Sequence, residues 1–198
     1  MNLLRMRANP LIAIAVCFAL GIAVAQQDEG GIPHEPKTMV TMPSPDGRLV
    51  AISRSPIPDT TVPDYEDADG TLIFIRGPNR GDRIIAHRFF AGRFISKMLW
   101  SPDSQFLVLC SESAGGHSPW HFNSYFWSRD DRKFRSIDFR AGPVVSDEFA
   151  FTAPHNLTLK IAPTAPDKTF DLDHPVEKIV NLSEIRRTTP PLQPGPWP

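Results

Sequence analysis

The sequence predicts an all-β, antiparallel fold of two blade-like four-stranded sheets plus a remnant of a third. Three observations predict it. Beyond residue 25 no stretch sustains a 3.6-residue apolar period. Short runs rich in β-branched and aromatic residues recur instead, at 49–54, 71–76, 83–88, 94–100, 105–111, 121–127, 133–139, 148–152 and 157–162. A Ser-Pro-Asp turn occurs twice, at Ser44-Pro45-Asp46-Gly47 and Ser101-Pro102-Asp103-Ser104, 57 residues apart. The 21 prolines among 198 residues fit this pattern. They crowd 26–45, 56–63 and 163–198 and largely avoid the apolar runs, because proline fixes φ and cannot donate to a sheet ladder.

Residues 1–25 read as a signal peptide. Arg5 and Arg7 give a positive start, Leu11 to Val24 is almost wholly apolar, and Ala23-Val24-Ala25 offers small residues for cleavage before Gln26. The apolar stretch of 14 residues is shorter than the roughly 20 that a spanning helix needs, so no membrane span is expected after cleavage. Val16 before Cys17 argues against lipidation. The expected localisation is periplasmic or secreted. Residues 26–38 read as a Pro/Gly-rich linker.

Residues 39–162 read as the β domain. Each copy runs as strand, Ser-Pro-Asp turn, strand, longer loop, strand, short turn, strand. Proline pre-sets φ at the first central turn position, and the Asp side chain can take backbone N–H groups further along the turn. The first copy continues through "PIPDTTVPDYEDADG" and "TLIFIRGPNRGDRIIAHRF", the second through "HFNSYFWSRDDRKFRSIDF". A faint third copy begins at Val145-Ser146-Asp147-Glu148-Phe149. Residues 163–198 read as a Pro-rich, partly disordered segment, within which 175–186 fits either a strand or a short helix.

An apolar or aromatic residue, then SPDG, then an alternating strand resembles the blade repeat of TolB-type and WD-like β-propellers. It is also similar to the propeller domain of prolyl-oligopeptidase-type peptidases. Trp100 to Leu107 carries the resemblance best; Pro43 to Leu49 lacks the aromatic. The resemblance implies a scaffold or binding role, since the propeller of those peptidases is not their catalytic part. Closed propellers use four to eight blades, and two units with a remnant are too few. A two-sheet sandwich, an open propeller fragment and a ring completed by further copies all satisfy the need to cover each sheet; the compact two-sheet domain is favoured.

Charge excludes one class. The chain has 21 basic and 22 acidic residues; without Arg5 and Arg7 the balance is 19 to 22, and no Lys/Arg block forms the footprint of a nucleic-acid binder. Cys110, the one cysteine left after cleavage, sits in an apolar run and reads as a buried, inert thiol. Asp64, Glu66, Asp67 and Asp69 form a solvated acidic loop without EF-hand spacing.

The segment "SESAGGHSPWHFNSYFW" is the most unusual and holds the candidate site: Glu112, Gly115, Gly116, His117, Trp120 and His121. Loops on a rigid β scaffold carry binding groups, and Trp120 offers contact area at small entropy cost. The competing reading is core filling by the aromatics. A metal-dependent or hydrolase-like enzyme using His117 and His121, with Glu112 as a third ligand, is the alternative, although no zinc-site spacing completes it. Ser113, His117 and Asp103 supply a triad by residue type alone. The expectation is therefore an exported binding or scaffold protein without cofactor or catalytic residues, whose partner is an envelope protein or a small ligand.

Overall fold

The computed structural model describes residues 38–57, 70–113, 122–165 and 169–193. The two Ser-Pro-Asp turns close equivalent hairpins. The first joins β1 (Thr38–Pro43) to β2 (Val50–Ile57), the second β5 (Arg93–Trp100) to β6 (Phe106–Ser113). In the first, Ser44 N donates to Leu49 O at 2.9 Å, Gly47 N to Ser44 O at 2.9 Å, and Ser44 Oγ to Asp46 Oδ1 at 2.7 Å while accepting from Leu49 N at 3.0 Å. In the second, Ser101 N donates to Phe106 O at 2.8 Å, Ser104 N to Ser101 O at 2.9 Å, and Ser101 Oγ to Asp103 Oδ1 at 2.6 Å while accepting from Phe106 N at 2.9 Å. The fourth turn residue is left-handed in both, Gly47 at φ +68° and Ser104 at φ +62°. Glycine takes that conformation without strain. Ser104 bears it because its hydroxyl accepts Asp46 N at 3.0 Å and so joins the two turns.

Each hairpin extends into a four-stranded meander. The first adds β3 (Gly70–Arg76) and β4 (Ile84–Ala91), in the order β1-β2-β3-β4; the second adds β7 (Asn123–Ser128) and β8 (Lys133–Ser136), in the order β5-β6-β7-β8. The run expected at 133–139 stops at Ser136. The Asp138 carboxylate accepts Ser124 N at 3.1 Å, and residues Asp138–Ala141 form the helical turn α1.

The third sheet differs from the expected remnant. It comprises β9 (Ala150–Ala153), β10 (Asn156–Ile161) and β11 (Val176–Asn181), in the order β11-β10-β9. The Ser146-Asp147 echo is no hairpin turn. Val145 N donates to Lys160 O at 3.0 Å and Ala162 N to Pro143 O at 2.9 Å, so 143–145 and β9 run along the same side of β10, with 146–149 bulging between them. No proline presets φ there. The sheet also extends past the boundary expected at residue 162: β11 pairs with β10 from Asn156↔Asn181 to Ile161↔Val176. Residues 175–186 hold both elements once weighed against each other, because α2 (Leu182–Thr188) begins where β11 ends, capped by the Asn181 side chain accepting Glu184 N at 3.1 Å. Beyond it, Leu192 N donates to Phe134 O at 2.8 Å and ties the chain onto β8.

The three sheets stack as layers rather than as the favoured two-sheet sandwich. On β6, Leu107 and Leu109 join Ala51, Ile73, Ile75 and Phe90 of the first sheet, together with Trp127 and Phe134. Phe106, Val108 and Cys110 point the other way, onto Leu157, Leu159 and Val180 of the third sheet and Leu182 and Ile185 of α2. Every β6 residue from Phe106 to Ser111 is therefore buried. A strand covered on both faces loses the apolar/polar alternation and reads as a continuous apolar run. Trp100 stacks edge-on to Trp127 with centroids 6.0 Å apart, and its Nε1 donates to Met42 O of the first sheet at 3.1 Å. No helix among the described residues is long and apolar enough to cross a membrane.

Candidate functional site

Of the residues singled out in the sequence, Gly115, Gly116, His117, Trp120 and His121 lie outside the described residues. Glu112 is exposed near the end of β6, opposite Phe94 of β5. The neighbouring pairs are Arg93↔Ser113 and Ser111↔Asn123; with its amide correctly turned, Asn123 presents its oxygen to the Arg93 guanidinium at 2.7 Å. Ser113 and Asp103 do not come together. Ser113 ends β6 and Asp103 lies before its start, and the strand's eight residues span about 25 Å, so a triad built on both is ruled out.

Asp103 instead meets two residues the sequence reading passed over. His155, in the turn between β9 and β10, places Nε2 2.8 Å from Asp103 Oδ2 and Nδ1 2.8 Å from Ser183 Oγ in α2. An ionised carboxylate only accepts, so Nε2 carries the proton, and in the neutral ring Nδ1 accepts from the serine hydroxyl. Burial pushes the Asp103 carboxyl up, but bonds from Ser101, Gln105 N and His155 outweigh it and hold the group below its ordinary value. A serine on a carboxylate-oriented imidazole is the pairing a nucleophile needs. Two facts count against chemistry here. Serine and carboxylate occupy the reverse of the ring nitrogens used in serine hydrolases. Leu182 N and Glu184 N, on either side of Ser183, are taken by His155 O and Asn181 Oδ1, whereas an oxyanion needs convergent free donors.

The duplicated turn explains the arrangement better. Asp46, the equivalent of Asp103, takes Arg129 of the second sheet at 2.7 Å. Its carboxyl lies far below the ordinary range, held there first by that guanidinium and then by Ser44, against a smaller effect of burial. Each turn Asp thus reaches forward to a cationic or N–H-bearing side chain of the next sheet. The shared requirement is a clamp between layers, served by arginine in one copy and histidine in the other.

A different feature has the character of a binding site. A cleft of about 340 Å³ opens between the first and second sheets, lined by His87 and Arg88 of β4, by Arg132 in the turn before β8, by Lys133 and Phe134 at the start of β8, and by 191–193 of the C-terminal strap. That volume is at the lower end for small-molecule pockets. Among the described residues the lining holds no carboxylate. The two acids of the same hairpin are turned elsewhere, Asp131 to Arg135 at 2.6 Å and Asp130 to Arg186. Arg132 and Lys133 keep no side-chain partner among the described residues. Arg88 donates to Gln193 O at 2.6 Å, but its buried Nε has no partner among them either. Burial lowers the pKa values of both Arg88 and His87, against a smaller raising effect of Tyr125 on Arg88. Arg132 adopts φ +58°, a left-handed conformation at the hairpin corner. Phe134, Pro191 and Leu192 give the lining its apolar part.

No protein-family model matches the chain, and no curated protein matches it. A solved structure from Bacteroides ovatus, provisionally described as a dipeptidyl aminopeptidase IV, aligns over 72% of this chain and 22% of its own at 14% identity, with a TM-score of 0.39. This chain spans about a fifth of that protein's length (22%), and a likeness this slight carries no argument about fold or activity. The blade-like character stands on the strand order and the paired turns.

Neither the cleft nor the clamp has a signature in the sequence. His87-Arg88, Arg132-Lys133 and the stretch 191–193 are far apart in the chain and match no motif. The one available signal was the charge imbalance of the hairpin, where Arg129, Arg132 and Lys133 flank Asp130-Asp131.

Proposed function

We propose that the protein is an exported, non-catalytic binding or scaffold protein built from blade-like sheets of the TolB and WD kind, acting on an envelope partner or a small ligand in the periplasm or outside the cell. One observation carries the binding reading: a cleft between two sheets is lined by Arg88, Arg132 and Lys133, with no carboxylate in the lining among the described residues. Arg88 is half-buried with its Nε unpartnered among the described residues, a costly state for a charged group, and the exposed Arg132 and Lys133 beside it leave donors suited to a ligand that supplies the missing charge. Export rests on the N-terminal pattern ending at Ala25.

The test has two parts. The N-terminus of protein recovered from the producing cell's exterior or envelope should begin at Gln26; an intact Met1 in a cytoplasmic fraction sinks the export claim. The mature chain, cross-linked in its own envelope fraction, should retain a molecule that Lys133→Glu releases. Retention that Lys133→Glu leaves intact and Trp120→Ala with His117→Ala abolishes would move the site to the segment that holds Trp120 and His117.

The contacts of His155 with Asp103 and Ser183 motivate a hydrolase as the second reading. Purified protein should show no turnover of p-nitrophenyl acetate above buffer. A turnover that Ser183→Ala removes, with the melting temperature unchanged, would establish the enzyme and overturn the clamp.

A further inference from the structure

We infer that the cleft between the first and second sheets binds a small organic anion, its acidic head against Arg132, Lys133 and Arg88 and its apolar body against Phe134 and Leu192. The inference rests on the binding reading above and names the chemistry of the ligand. Four features converge on it. Among the described residues the lining carries three permanently or ordinarily cationic groups and no acid. The hairpin's own carboxylates are committed to Arg135 and Arg186, outside the lining. Guanidinium and ammonium donors remain open at Arg132 and Lys133 among the described residues. The same lining offers a phenyl ring, Phe134, and a leucine, Leu192, already packed into the core, a surface fixed before any ligand arrives.

Guanidinium groups present planar paired donors that match a carboxylate or a phosphate. Both heads share that chemistry, so the acid is named by class: a monoanionic or dianionic oxyanion on an apolar body. The cleft's size limits the body to about one ring or a short chain. Gln193 and its backbone carbonyl, which holds Arg88, set the rim. An anion bound here also bridges β4, β8 and the strap, elements far apart in sequence, so it should stiffen the contact between the first two layers.

The experiment is calorimetric titration of the mature protein with phenyl phosphate, benzoate, inorganic phosphate and benzyl alcohol, at two salt concentrations. Phenyl phosphate or benzoate should bind at least tenfold more tightly than benzyl alcohol, weaken as salt rises, and lose at least tenfold in affinity in Arg132→Gln with Lys133→Gln. Both side chains are exposed, so these variants should keep the parent melting temperature; should the pair fail to fold, Lys133→Gln alone serves the same purpose with a smaller loss. Phenyl phosphate exceeding benzoate assigns a phosphoryl head, the reverse a carboxylate. Inorganic phosphate binding as tightly as phenyl phosphate overturns the apolar-body part. Anion binding that is absent, indifferent to salt, or unchanged in the variants overturns the proposal. Should anions fail while a cross-linked partner is still released by Lys133→Glu, the small-anion inference falls and the binding reading stands.

Discussion

Replacing Ser101 by Ala tests the turn that organises the fold. Its hydroxyl is fully buried, donates to Asp103 Oδ1 at 2.6 Å and accepts from Phe106 N at 2.9 Å. Phe106 N has no other acceptor in the turn, so the substitution leaves a buried amide unsatisfied. Such an orphan costs about 1–3 kcal/mol. At roughly 2–4 °C per kcal/mol for a domain of this size, a loss of about 2 kcal/mol lowers the melting temperature by about 4–8 °C. Ser44→Ala removes the equivalent bonds to Asp46 and Leu49 N. If the turns are true counterparts, the two variants should lose stability to within about 1 kcal/mol of each other in urea titrations, with unchanged m-values. A loss below about 0.5 kcal/mol in both, or a large loss in one and none in the other, would refute the reasoning.

Three further outcomes follow from particular contacts. The Asp46 carboxyl is held well below its ordinary 3.8 by Arg129 and Ser44, and a depressed acid stabilises above its unfolded pKa and loses that contribution as pH falls through the folded value. The melting temperature should therefore hold from neutrality to about pH 5, fall in the acid range below about pH 4, and fall less steeply in Asp46→Asn; equal acid slopes in the two proteins would contradict the clamp. Burial pushes the Cys110 thiol up to about 11, so a thiol reagent at pH 8 should modify it only at the rate of unfolding, and prompt labelling of native protein would show the strand to be open. A chain ending at Thr189 loses Leu192 from the core and the donor to Phe134 O. It should melt several degrees lower, from about 1–3 kcal/mol of lost burial and bonding; an unchanged melt would mean the strap is not held.

What was legible follows the range of the forces. The Ser-Pro-Asp turns are closed by bonds within six residues, and proline, aspartate and a left-handed fourth residue announce them locally. β6 was visible because it is buried on both faces and its run Phe106–Cys110 is continuously apolar. The strand Thr38–Pro43 was implied by the turn after it and hardly by its own composition, for it is an edge strand with Met39 and Val40 exposed. β11 was ambiguous for the same reason: Val176 and Ile179 face solvent, and α2 follows without a break, so two periodicities overlap in one segment. The end of β8 at Ser136 was hidden because a long-range bond, Asp138 to Ser124 N, decides it. The cleft and the clamp were invisible because each assembles single residues from three places in the chain, and no spacing rule joins Arg132 to Arg88 or His155 to Ser183.

The stack of three layers, with the second sheet enclosed by the other two, is tested most directly by amide hydrogen exchange on the mature protein. Amides of Phe106–Ser111 should be the slowest in the molecule, opening only with global unfolding, while those of β1 and β11 at the outer edges exchange faster. Exchange of β6 as fast as that of β1 would contradict the enclosed middle sheet, and with it the cleft that two stacked sheets create.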